Sequence, residues 1–162
     1  MTVCIATRAE DSRALVLVAD KASTIGAMQD DTDAKKILRL AGSKWMALTA
    51  GNGGRCDAIV RAVSAAAASD KSLTNDASLL AKRIEHEYRA LRDEIIEQNV
   101  LAPQLLTRTL WTSRSSSLLP LPNSVIGEVQ DRLSEFEFNC ELLFCGFDGN
   151  GNPTSCTSMK RR

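Results

Sequence analysis

Residues 14–19 (ALVLVA) form an unbroken apolar run. Such a run predicts a strand covered on both faces. Residues 3–8 (VCIATR) predict a partner strand, and Glu10-Asp11-Ser12-Arg13 supplies the polar turn that makes the two a hairpin. Residues 36–40 (KILRL) and 44–49 (KWMALT) predict a second hairpin through Ala41-Gly42-Ser43, with Met46 and Leu48 on one face and Trp45 and Ala47 on the other. Two hairpins this close to the chain start commit the sequence to antiparallel sheet before any helix appears.

Helices follow. The Gly51-Asn52-Gly53-Gly54 loop opens one over about 55–69, with Asn52 as its cap. Its small residues Ala58, Ala62 and Ala65 to Ala68 suit close packing on a sheet or a second helix. Residues 70–75 are a polar break. A longer helix over 76–98 carries Leu80, Ile84, Tyr88, Leu91 and Ile95 at helical spacing, with Lys82, Glu85, Arg89 and Glu94 on a solvated face. Residues 99–123 are less regular, and Arg114 to Ser117 and Pro120-Leu121-Pro122 read as loop. A short helix over 124–134 starts at a Ser124 cap, residues 137–145 predict a strand, and Asp148 to Pro153 a turn. Pattern alone gives an α+β domain.

A length of 162 residues suits one domain, and 44% hydrophobic residues suffice for a core. Twenty basic residues balance twenty acidic ones. That balance argues against nucleic-acid or membrane-surface partners recruited by net charge. No apolar run reaches the roughly 20 residues of a membrane span, and the start lacks a signal-peptide layout; a cytoplasmic location is expected. The five cysteines contain no C-x-x-C pair. Cys140 and Cys145, five apart on one strand, point to opposite faces and cannot share a metal. Reduced, mostly buried thiols are expected. His86, the only histidine, lies mid-helix among charges, which argues against a zinc site or a Ser-His-Asp triad and for a solvated helix face. No metal and no cofactor is expected.

Chemistry enters at Thr2. Thr after Met1 normally allows removal of the initiator, leaving an α-amine and a β-hydroxyl on one residue. The amine can then serve the hydroxyl as base, the N-terminal form of nucleophilic catalysis. Five features follow in order: a hairpin ending at Asp20, the small-residue turn Ser23-Thr24-Ile25-Gly26, the pair Lys35-Lys36, Ala50-Gly51, and the Cys140 to Asp148 strand and turn. Thr2 with these five resembles the proteasome β-type subunits and their bacterial proteasome-like relatives, N-terminal-nucleophile threonine hydrolases, over residues 2 to about 150.

The resemblance implies an αββα sandwich, two antiparallel sheets flanked by helices. Residues 1–158 would form one such domain, incomplete at its C-terminal end, with 159–162 a short basic tail. It implies that Thr2 attacks a peptide bond and that Lys36, held by Asp20, lies beside it. A cation there disfavours the protonated amine and hydroxyl. Gly51 N–H would donate to the oxyanion. Ser23, Thr24, Ala34, Thr49 and Gly53 would bind substrate, with Thr24 pairing its backbone to an extended peptide. Strand alternation should turn one lysine of Lys35-Lys36 inward and the other outward. Ala22 stands where many active members carry Arg, which weakens support of the loop around Thr24. The implied partners are peptide or unfolded protein and further copies in a ring. Residues 154–158 stand where the family has a strand but lack its alternation, and members of the family usually continue well beyond Arg162, so a truncated or frame-shifted product is expected. Two rivals remain: a catalytically inactive truncated or structural subunit, and a non-peptidase amidohydrolase of the same broader class.

Overall fold

The computed structural model describes residues 3–9, 11, 13–20, 23–25, 28–30, 35–113 and 121–156; for 23–25, 28–30 and 156 it describes the backbone alone. The chain is α+β and divides into two units, one of residues 1–87 and 139–161 and one centred on 88–138.

In the first unit, β1 (Cys4–Ala9) and β2 (Ala14–Ala19) pair antiparallel from Cys4↔Ala19 to Ala9↔Ala14. The turn between them includes Asp11 at φ 51°, a left-handed conformation that Asp tolerates better than most residues. The hairpin is covered on one face only. Ile5, Val16 and Val18 share the other face with Thr7, and they and Val3 are 45–52% exposed. This corrects the two-face burial expected of 14–19: an all-apolar run does not reveal which neighbours the fold supplies.

The segment read as a small-residue turn is β3 (Ser23–Ile25), paired with β4 (Met28–Asp30). The main sheet has the order β5 (Ile37–Arg39), β6 (Met46–Gly51), β7 (Cys140–Phe147), β8 (Pro153–Cys156), antiparallel throughout. The β5–β6 turn falls where expected. Leu40 N–H donates to Trp45 O at 3.0 Å, and Ser43 Oγ closes the turn through Leu40 O and Trp45 N–H. Strand β7 begins later than 137, because Asn139 takes φ 45° and bends the chain into the strand. Strand β8 corrects the reading of 154–158. Its backbone pairs with β7, and Pro153 is buried, although apolar alternation is absent.

Helix α1 (Gly53–Ser69) lies across β6 and β7. Asn52 caps it, accepting from Arg55 N–H at 3.1 Å. Its buried stripe is Cys56, Ile59, Val60, Val63 and Ala67. These meet a sheet face on which Ala47, Leu142 and Phe144 are all buried. Trp45 lies on the same face, fully buried, with its indole N–H donating to Thr74 O at 2.8 Å. The polar break contains a single helical turn, α2 (Ser72–Asn75). Asp76 then accepts from Ser78 and Leu79 N–H at the start of α3 (Ala77–Ile96). Leu80 and Ile84 are buried as their spacing predicts, Lys82 and His86 are exposed, and Glu85 is half-buried.

In the second unit, Tyr88 continues the buried stripe of α3 and meets Phe138 edge-on with ring centroids 4.8 Å apart. A π-helical turn over Glu97–Leu101 and a 3-10 turn over Ala102–Gln104 follow α3. Then come α4 (Arg108–Thr112) and α5 (Asn123–Glu135). Val100, Leu101, Leu106 and Val129 form the centre, with Trp111, Val125 and Leu133 packed around them. Pro122 precedes α5, and Ser124 lies inside its first turn rather than capping it. The loop reading of Arg114 to Ser117 lies outside the described residues.

Gly146 is pinned by packing. A Cβ there would stand 2.5 Å from the Trp45 ring and 2.8 Å from Lys44 O, both immobile. Gly146→Ala should lower stability by about 1–3 kcal/mol through overpacking, read as a lower urea midpoint. An unchanged midpoint would contradict this packing.

Candidate functional site

The site forms where the first hairpin ends. Past the last β1–β2 pair, Asp20 N–H donates to Val3 O at 3.1 Å, and Val3 N–H donates back to Asp20 Oδ2 at 3.1 Å. Asp20 therefore holds the backbone of Val3 at both its donor and its acceptor. Its other carboxylate oxygen, Oδ1, accepts from Lys36 Nζ. The Lys36 side chain is 12% exposed and that of Asp20 30%. Lys35 is exposed, so the lysine pair divides inward and outward as alternation requires.

The main chain of Lys36 is fixed independently. Thr49 N–H donates to Lys36 O at 2.9 Å, and Thr49 Oγ1 to the same oxygen at 3.4 Å. Cys4 Sγ donates to Thr49 O at 3.7 Å. The start of β1, the end of β2, the entry to β5 and the middle of β6 thus converge on one ion pair.

Electrostatics follow from this geometry. The Lys36 hydrogen bond, then the Val3 N–H, hold the Asp20 carboxyl below its usual 3.8. Burial pushes the Cys4 thiol up; the Asp20 carboxylate adds to this and Lys36 opposes it. A thiol kept protonated is a poor nucleophile.

Gly51 ends β6 at φ 86°, and a Cβ on it would meet Asn139 O at 2.4 Å. Only glycine suits a left-handed position this crowded. Asn52 N–H donates to Asn139 O at 2.6 Å, closing the turn into α1. Gly51 stands two residues beyond Thr49 on β6, roughly 7 Å along the strand. Gly53 is the exposed first residue of α1.

Of the residues nominated from sequence, Asp20, Lys36 and Thr49 are brought together, with Gly51 on the same strand as Thr49. Thr49 is buried, and its hydroxyl faces the Lys36 carbonyl. Ser23 and Thr24 stand on β3, and Thr2 and Ala34 lie outside the described residues. Sequence reasoning missed the Val3 amide as an Asp20 partner, and Cys4. The signal for Val3 was present: in an antiparallel hairpin the residue after β2 must face the residue before β1; the Cys4 contact with Thr49 had no local signal.

Among the described residues no group of three or more His, Cys, Asp or Glu side chains could hold a metal, and no helix is long and apolar enough to cross a membrane. Comparison with models of known protein families matches none of them, and comparison with curated proteins finds no match.

Asp20→Asn should destabilise the fold, because an amide cannot balance the Lys36 charge. With its folded pKa lowered, the Asp20 contribution is complete above about pH 4. It is lost as pH falls through the lowered value. Urea unfolding of both proteins should differ most near neutrality and converge once pH falls below the lowered Asp20 value. A gap that stays constant on acidification would contradict the ion pair.

Proposed function

We propose that this chain is a proteasome-like threonine hydrolase subunit that cleaves peptide bonds through Thr2 after Met1 is removed. The observation that carries the reading is the Asp20 carboxylate bound at once to Lys36 Nζ and to the amide of Val3, the residue that directly follows Thr2 in the chain. A structural ion pair has no need of the chain start. A catalytic one at an N-terminal nucleophile does.

In this reading Thr2 Oγ attacks the scissile carbonyl while the Thr2 α-amine takes the hydroxyl proton. The C–N bond breaks, the proton passes to the leaving amine, and an ester on Oγ remains for water to hydrolyse. Lys36 favours the unprotonated forms of the amine and hydroxyl, and Asp20 orients and balances it. Gly51 N–H receives the oxyanion; one such donor is typically worth about 10²–10³ in rate. Ser23, Thr24, Ala34, Thr49 and Gly53 contact an extended peptide or unfolded-protein substrate. The antiparallel β5–β8 sheet with α1 on one face supports the αββα sandwich as the finer fold.

A second reading, an inactive or structural subunit, is favoured by one observation. The apolar face of Ile5, Val16 and Val18 is open, and a face of that kind is ordinarily covered by a second layer or a neighbouring subunit in a ring. A panel of fluorogenic peptides and small amides separates these readings from a non-peptidase amidohydrolase. Peptide cleavage should be abolished in Thr2→Ala and reduced about 10²–10⁴-fold in Lys36→Ala, with circular dichroism unchanged. Cleavage that survives Thr2→Ala would sink the mechanism, and a folded wild type inert to the whole panel would support the inactive subunit.

A further inference from the structure

We infer that Cys56 and Cys140 form an oxidation site, a buried thiol pair that a small hydroperoxide converts to a disulfide joining the first turn of α1 to the start of β7. The inference does not rest on the hydrolase reading. The two sulfurs lie 3.1 Å apart, between residues 84 apart in sequence. Closing to a disulfide requires approach to about 2.05 Å, a side-chain adjustment rather than a rearrangement of strands. Cys145 points to the opposite face of β7, and Cys4 Sγ is engaged with Thr49 O. Neither lies between the pair.

The surroundings divide the roles. Cys56 occupies the first turn of α1, where the helix dipole favours an anion. Its thiol can donate to Ala50 O at 3.4 Å and to Glu141 O at 3.9 Å. The contact between the two sulfurs, in which either thiol can donate, holds the Cys56 pKa down and, with burial, pushes Cys140 up. We assign Cys56, at the helix start, as the sulfur that attacks, giving up its proton as the S–O bond forms. It attacks one hydroperoxide oxygen: an S–O bond forms, the O–O bond breaks, and the departing alkoxide takes the proton Cys56 released and leaves as the alcohol. Cys56 is now a sulfenic acid, an electrophilic sulfur within reach of Cys140. Cys140 sulfur attacks Cys56 sulfur, the S–S bond forms, the S–O bond breaks, and hydroxide leaves as water with the Cys140 proton. Two thiols supply the two electrons that reduce one hydroperoxide.

Burial selects the oxidant. Cys56 and Cys140 are 1% and 2% exposed, which bars a bulky charged disulfide such as oxidised glutathione. Gly51 to Gly54 beside them are exposed, and a Cβ on Gly53 would meet nothing within 4 Å. The crosslink would brace the turn already clamped by Asn52 and Asn139.

The test uses the full chain, treated with hydrogen peroxide or with oxidised glutathione, quenched in acid, unfolded, alkylated and weighed. Peroxide should remove about 2 Da and two alkylation sites, at least about tenfold faster than glutathione disulfide, and dithiothreitol should restore both. Non-reducing peptide mapping of the wild type should link Cys56 to Cys140, which requires no variant to fold. Cys56→Ser and Cys140→Ser should each lose the link, while Cys145→Ser keeps it. A link through any other cysteine, or gain of about 32 Da on Cys56 with no link, would overturn the inference.

Discussion

The Asp20 carboxylate ties together parts of the chain 16 and 17 residues away from it, Lys36 and Val3. One oxygen goes to each. The first hairpin meets the main sheet through this contact and through Cys4 on Thr49 O, so the location of Val3 and β1 relative to β6 rests on these polar contacts. The hairpin has no second covered face to hold it. Its exposed side, Ile5, Val16 and Val18, contributes nothing by burial until something covers it. A polar clamp therefore matters more here than in a hairpin packed on both sides.

The main sheet supplies the rigid reference. Trp45 and Phe144 are fully buried on the face that α1 covers, and Gly146 lets the Trp45 ring lie against β7. At the far end of the same two strands, Gly51 and Asn139 both take positive φ and are joined through Asn52. That end carries both chemical features of the unit. The Lys36 carbonyl is bound to Thr49, and the Cys56–Cys140 pair sits under the turn. A helix start, a strand end and two close thiols at one place make it sensitive to local change, while the Trp45 end is set by packing.

Much of this was legible in the sequence. The limits of β2, the β5–β6 turn, the Asn52 cap and the Leu80, Ile84, Tyr88 stripe follow from local pattern, because each depends on neighbours a few residues away. The inward turn of Lys36 followed from strand alternation. What local pattern does not reveal are pairings made at a distance. Strand β8 is held by β7 rather than by its own alternation. The open face of ALVLVA depends on what covers the hairpin. Ser124 could cap only if the helix began two residues later than it does. Cys56 and Cys140 are adjacent because Gly51 pairs with Cys140 at the end of β6. No spacing rule for cysteines anticipates that.

The central claim is that the Asp20–Lys36 pair serves an activated nucleophile at the chain start. Intact mass of the purified protein, before and after a threonine-directed epoxyketone or β-lactone, tests it most directly. The account predicts loss of Met1 and a single adduct mapped to Thr2. A retained Met1, or a free Thr2 that stays unmodified in folded protein, would contradict it.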